Sequence, residues 1–176
     1  MGLEERVAEL ERRLAALERG DRERDGAGGE SRTEPRLPDG DLWALGLLKS
    51  ELAKTGSPGG GVLYTGSVRL PAGERYEWQY GALTDGLLDA DWSLTAESFA
   101  ALGHPVRLRL LHEILGGWRT TAELADLDEL GTTGQIYHHL RQLTGAGWLH
   151  TPGRGRYEVP AARVVPLLVM ITAAGP

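Results

Sequence analysis

The sequence predicts a mainly α-helical chain with small β-elements, and three stretches carry that reading. Residues 132–143 begin with a helix cap and then repeat apolar residues at helical spacing. Residues 148–159 read as two short strands around a glycine-rich turn, and residues 62–80 as a longer hairpin of alternating apolar residues. The rest of the chain is arranged around the first of these.

Thr132 stands three residues before Gln135. At this capping-box spacing the threonine hydroxyl accepts from an orphan backbone N–H and the glutamine reaches back to the cap. Ile136, Leu140 and Leu143 then recur at i, i+4 and i+7, so one narrow stripe is apolar and demands burial. Gly134, His138 and Arg141 lie opposite. No acidic residue falls between Gly131 and Trp148. The outer face offers glutamine, tyrosine, histidine and arginine, whose donors and acceptors suit base edges and phosphates. Thr132, Thr133, Gly134, Gln135, Tyr137, His138 and Arg141 are therefore the candidate contacts of a DNA-recognition helix.

What flanks this helix fits that role. Gly145-Ala146-Gly147 stops it, Trp148-Leu149-His150-Thr151 reads as a strand, Pro152-Gly153-Arg154-Gly155 as a turn, and Arg156-Tyr157-Glu158-Val159 as the returning strand. Arg154 and Arg156 thus stand at a hairpin tip and join the candidate DNA contacts. Upstream, residues 121–127 read as a short helix with Leu124 and Leu127 inward, and residues 128–131 as the turn of a helix-turn-helix. Helix, turn, helix, hairpin is the order of a winged helix-turn-helix. The bland alternative is the same fold serving as a dimerisation or protein-docking module.

Composition bounds the function. The 176-residue chain has a formal net charge of -6, and its acids are unevenly spread. Residues 1–40 carry 8 Lys and Arg against 11 Asp and Glu, residues 41–94 carry 4 against 7, and residues 95–176 carry 7 against 7. In the last segment Arg141, Arg154 and Arg156 sit on the recognition elements, whereas Glu123, Asp126, Asp128 and Glu129 precede them. Weak non-specific DNA affinity is expected. The absence of cysteine excludes a disulfide framework and a thiolate metal site. No N-terminal apolar run marks a signal peptide, and the apolar run 164–174, broken by Pro166 and Thr172, falls short of the ~20 residues a membrane span needs. A cytoplasmic protein with no membrane partner is expected.

Taken in order, the chain divides into a short coiled-coil helix (1–19), a flexible linker (20–40), a helix plus β-hairpin subdomain (41–94) and the winged helix with a C-terminal dimerisation helix (95–176). Leu3, Val7, Leu10, Leu14 and Leu17 form a heptad seam, with Arg6 and Arg13 placed to meet Glu11 and Glu18 of a parallel partner. Little more than two heptads can only reinforce a dimer made elsewhere. Residues 20–40 are charged, glycine-rich and interrupted by Pro35 and Pro38. Asp41 is placed to cap a helix running to about Lys54, ended by Ser57-Pro58-Gly59-Gly60-Gly61. In the hairpin, Val62, Tyr64, Val68 and Leu70 share a face with Tyr76, Trp78 and Tyr80 across the Pro71-Ala72-Gly73 turn. A lone hairpin is unstable in water, so that face needs a cover. Residues 85–91 read as a polar connection. A helix follows from near Thr95 with Phe99 and Leu102 inward, then another opened by Pro105.

The run Phe99-Ala100-Ala101-Leu102-Gly103-His104-Pro105-Val106-Arg107-Leu108-Arg109-Leu110-Leu111 comes before Ala122-Glu123-Leu124-Ala125, Gln135 to Leu143 and Gly145-Ala146-Gly147-Trp148-Leu149. Together these resemble the ArsR-type winged helix of bacterial transcription regulators over about residues 95–160. The resemblance implies a homodimeric binder of double-stranded DNA, usually a repressor, that dimerises through terminal helices; residues 161–174 match such a C-terminal helix. Many relatives sense metals through cysteines before the recognition helix or through His and Asp pairs on the last helix. Residues 122–130 have no cysteine and residues 161–176 no His, Asp or Glu, so metal sensing is not carried over.

Other chemistry has little footing. His138 and His139 diverge by about 100° on a helix, and His112 stands eight residues after His104, beyond an i, i+4 ligand pair. His139 is expected at the edge of the apolar stripe, half-buried with its ring satisfied. Gly59-Gly60-Gly61 lacks the lysine and hydroxyl of a phosphate loop. No nucleophile and base stand at a recognisable spacing, so no catalytic, cofactor or metal residue is expected. Two rivals to a DNA-binding regulator stand: an interaction module that uses the winged helix and aromatic hairpin, and a sensor that takes a small-molecule effector through residues 41–94.

Overall fold

A computed structural model describes residues 42–127 and 130–175, so the expected coiled coil, linker and Asp41 cap lie outside the described residues. The described chain is mainly helical with small antiparallel β-elements. From Leu42 onward it forms one compact unit.

Helix α1 (Trp43–Thr55) starts at Leu42, which makes no side-chain cap hydrogen bond, and ends at Gly56 in the left-handed region. Strands β1 (Gly61–Arg69) and β2 (Arg75–Leu83) pair antiparallel in a register running from Gly61 opposite Leu83 to Arg69 opposite Arg75. The turn between them closes through Leu70 N–H donating to the Glu74 carbonyl at 2.9 Å, with Gly73 at φ +99°. The two faces of the hairpin meet different neighbours. On the even-numbered face Leu70 is buried and Val68 and Tyr76 pack against the core, while Trp78 and Tyr80 remain 37% and 55% exposed. The greasy face is therefore covered most fully towards its turn end.

The connection 85–91 departs from its expected irregular form. Helix α2 (Thr84–Asp89) takes up most of it, and a 3₁₀ turn (Trp92–Thr95) follows directly. Their support is local and polar, which is why apolar periodicity missed it. The Asp91 carboxylate accepts from Ser93 N–H at 2.9 Å, and the Trp92 indole N–H donates to the Leu87 carbonyl at 2.7 Å.

Helix α3 (Ala96–Leu102) buries Ala101 and Leu102. Phe99, expected inward, is 59% exposed. The inward stripe runs through Ser98, Ala101 and Leu102, which leaves Phe99 about 100° off Ser98. Helix α4 (Pro105–Gly116) is opened by His104, whose Nδ1 accepts from Val106 N–H at 3.2 Å with Pro105 in the first turn. It buries Leu110, Leu111 and Ile114. Short α5 (Thr121–Ala125) and longer α6 (Thr133–Gly145) follow, each opened by a capping box. Strands β3 (His150–Gly153) and β4 (Arg156–Glu158) form the second hairpin, and α7 (Ala161–Ala174) ends the chain. The strand expected from Trp148 begins two residues later, because Trp148 and Leu149 point into the core at 1% and 2% exposure. The turn is tighter than expected: Gly153 pairs with Arg156, leaving Arg154 and Gly155 at the tip, with Gly155 at φ +69°.

The core lies in this C-terminal part. Leu124, Ile136, Leu140, Leu143 and Val164 have no exposed surface, and Trp148 joins them with its indole N–H donating to the Ser98 carbonyl at 3.0 Å. The Arg163 guanidinium lies 4.9 Å over the Trp148 ring. Helix α7 meets the first hairpin closely: a Cβ on Gly66 would stand 2.6 Å from Val165 Cγ1, so only glycine lets β1 approach.

Candidate nucleic-acid interface

The capping box read from Thr132 and Gln135 is present. Thr132 Oγ1 accepts from Gln135 N–H at 3.4 Å, and Gln135 Oε1 accepts from Thr132 N–H at 2.8 Å. Both side chains are thereby committed to holding the start of α6, so of the Gln135 carboxamide only the Nε2 end is left to face outward. The Ile136, Leu140 and Leu143 stripe is fully buried. That burial fixes the roll of the helix and turns Thr133, Gly134, Tyr137, His138 and Arg141 to solvent. Residues Asp128 and Glu129 lie outside the described residues, while Glu123 and Asp126 are exposed.

A second capping box, at Thr120 and Glu123, went unread in the sequence although its T-x-x-E spacing is the same signal. The Glu123 carboxylate accepts from Thr120 N–H at 2.7 Å and Arg119 N–H at 3.0 Å, and these backbone bonds hold it below the usual carboxylate range. This cap ties the hairpin tip to α5. Thr120 bridges Arg156, Thr121 N–H donates to the Gly155 carbonyl at 3.2 Å, and Tyr157 N–H donates to the Arg119 carbonyl at 2.7 Å. Because Leu124 of α5 sits in the same core cluster as Ile136 and Leu140 of α6, the tip and the exposed face of α6 are joined through one packed core.

The two tip arginines differ. Arg154 is exposed at the turn itself, whereas Arg156 Nε donates to Glu158 Oε1 at 3.1 Å. Glu158 also takes Arg119 Nη1 at 3.3 Å, and Arg119 Nη2 pairs with Glu74 from the turn of the first hairpin. Desolvation opposes the Arg119 charge, but its carboxylate partners hold its pKa above the ordinary arginine value. Glu74 is held below the usual carboxylate range by backbone hydrogen bonding and then by Arg119. Arg119 thus joins the two hairpins.

His139 departs from the expected satisfied state. It is half-buried against His104, with ring centroids 4.7 Å apart, and its Nδ1 has no hydrogen-bond partner among the described residues. Burial first, then His104, Arg107 and His138, pushes its pKa below the ordinary histidine value. No group of three or more potential metal-ligating side chains occurs among the described residues, and no described helix is long and apolar enough to cross a membrane.

No family model matches the chain, and no curated protein does. Among solved structures, the crystal structure of M. tuberculosis Rv0081 is similar over 47% of this chain and 84% of that chain, at 28% identity and a TM-score of 0.38. A TM-score at that level does not establish a shared fold, and the interface stands on its own geometry.

The sequence reading did not find Arg119, nor Arg107, which bonds the Gln142 side chain of α6 and donates to the Ala100 carbonyl at 2.7 Å. Each spans elements distant in sequence, and no local pattern marks such a partner.

Proposed function

We propose that the chain is a sequence-specific, double-stranded-DNA-binding transcription regulator, a homodimeric repressor built on an ArsR-type winged helix and working without metal sensing or catalysis. The observation that carries this reading is the roll of α6. Its apolar stripe is fully buried, so Tyr137, His138 and Arg141 present an acid-free face, and the adjoining hairpin carries Arg154 at its tip. A helix of that chemistry suits the major groove, and an arginine at such a tip suits the backbone or the narrow minor groove. The dimer is supported by apolar side chains left uncovered at the ends of this part: Phe99 is 59% and Ile171 47% exposed.

Selection of bound fragments from a pool of random duplex DNA tests the proposal. A reproducible near-palindromic motif is expected, with half-sites about one helical turn, ~34 Å, apart. His138→Ala should relax base preference within it by ~1–3 kcal/mol. No enrichment, together with retention of another protein by the same face, would make the chain an interaction module.

A further inference from the structure

We propose that the cleft between α1 and the first hairpin is a binding site for a flat, apolar organic cation, a ligand class that goes beyond the DNA-binding reading. The cleft encloses about 540 Å³, within the ~300–1,000 Å³ of small-molecule sites. One face of α1 lines it with Trp43, Leu47, Leu48, Glu51 and Leu52, and the odd-numbered face of the hairpin forms its floor.

Three observations choose the occupant. At the centre of the floor stands Gly81, in a strand interior where glycine weakens the strand. Nothing in the fold requires it: a Cβ there would lie 3.5 Å from the Val62 carbonyl oxygen and 3.6 Å from Leu63 Cδ1, ordinary contacts. What the missing side chain provides is open, flat floor. The cleft is also a wedge, closed where Leu52 Cδ2 comes within 3.3 Å of the Cβ position of Gly61. A flat floor at Gly81 beside such a closed end suits a planar molecule.

Charge decides the rest. Glu51 is the only ionisable side chain among the described residues lining the cleft, and its partner is Lys54 in a solvent-exposed pair at 2.6 Å. Such pairs are weak enough for a bound cation to replace. Trp43, an indole in the same lining, favours the same charge. Thr65 and Gln79, opposite each other on the floor, offer hydrogen bonds to a polar substituent.

Rhodamine 6G, a planar apolar cation, serves as the probe in anisotropy titrations of the full chain without DNA, with neutral N-phenyl-1-naphthylamine as comparator. Saturable one-to-one binding of rhodamine 6G is expected. Gly81→Val should fill the floor and weaken both probes at least ~10-fold while the melting temperature holds or rises, since valine suits a strand. Glu51→Gln should weaken rhodamine 6G about fivefold and leave the neutral probe unchanged. Leu94→Ser, outside the cleft, should change neither. Binding indifferent to Gly81→Val, or equal losses of both probes in Glu51→Gln, would overturn the proposal. So would a cleft closed to both probes in a dimer that Gly81→Val converts to monomer in sedimentation, because a second copy would then be its occupant. With no DNA present, these titrations can fail while DNA binding stands, and the converse.

Discussion

Residues 42–95 and the described residues from Ala96 onward are built on opposite principles. Among described residues 42–95 Leu70 alone is buried, and α1 buries nothing: Leu42, Trp43 and Leu47 are 73%, 61% and 58% exposed. Beyond Ala96, α4, α5, α6 and α7 close on a core whose leucines and Trp148 are withdrawn from water. A 13-residue helix and a two-stranded hairpin have too little of their own burial to be stable in water. The first part is held by what it borrows from the second: Gly66 against Val165, Leu70 and Tyr76 on the core, and Arg119 between Glu74 and Glu158. A densely packed C-terminal part is thereby joined to a lightly held N-terminal one, and elements that respond to ligands come from the less stable end of such a gradient.

Two tryptophans give the largest expected contrast. Trp148→Ala should destabilise the protein by ~3–5 kcal/mol, since it empties a core site and leaves the Ser98 carbonyl without its donor. Trp43→Ala should cost within about 0.5 kcal/mol. Chemical denaturation of both variants measures the difference. Comparable losses would mean that α1 is covered in the native protein, and the contrast between the two parts would collapse.

Next in size is the link itself. Arg119→Met should cost about 2 kcal/mol, because it removes charge-assisted hydrogen bonds to two carboxylates at a site only 12% exposed. The loss should be local. Hydrogen exchange should quicken at the β1 and β2 amides and stay unchanged in α6. Uniform acceleration throughout would show the two parts unfolding as one.

How much of this was legible follows from the range of the forces. The cap and stripe of α6 are local in sequence, so Thr132, Gln135, Ile136, Leu140 and Leu143 could be read directly, and the C-terminal helix matched residues 161–174. The short helices at 84–95 rest on side-chain-to-backbone bonds of Asp91 and Trp92, which leave no apolar period to read. Phe99 was misplaced because a seven-residue helix offers too few turns to define its buried side. Arg119 was missed because Glu74 and Glu158 stand 45 and 39 residues away. At the candidate interface the outward face was legible as soon as the stripe was; the engagement of Arg156 by Glu158 was not.

Acid should weaken the two parts in different windows. His139 has a folded pKa below its ordinary 6.5, so its neutral form favours the folded state above that value. This contribution declines as pH falls below ~6.5 towards the folded pKa. Glu74 is likewise depressed below 4.5, so the stability it lends through Arg119 is present above that value and lost as pH falls through its lower folded pKa. Melting temperature against pH should therefore fall in two stages. His139→Gln should remove the first stage, and Glu74→Gln should shrink the second, to which the likewise depressed Glu123 and Asp91 also contribute. A first stage that survives His139→Gln, together with a second stage undiminished in Glu74→Gln, would mean that neither group governs acid stability.

The smallest effect separates the two tip arginines. Arg154 is exposed at the turn, whereas Arg156 must leave Glu158 before it can reach a phosphate. Arg154→Ala should weaken selected and scrambled duplexes alike and flatten the dependence of log K on log salt by about one unit. Arg156→Ala should flatten it by less. The reciprocal change distinguishes a tethered contact from an idle one. Glu158→Gln removes the charge that restrains Arg156 and one that repels phosphate, so it should tighten binding to both duplexes, and that gain should shrink when Arg156→Ala is added. Fluorescence anisotropy on one selected and one scrambled duplex at several salt concentrations provides all four slopes. Equal slopes for the two arginine variants would show that Glu158 does not restrain Arg156 in the complex. If neither arginine changes affinity or slope, the tip does not meet DNA, and the exposed face of α6 is left to dock a protein.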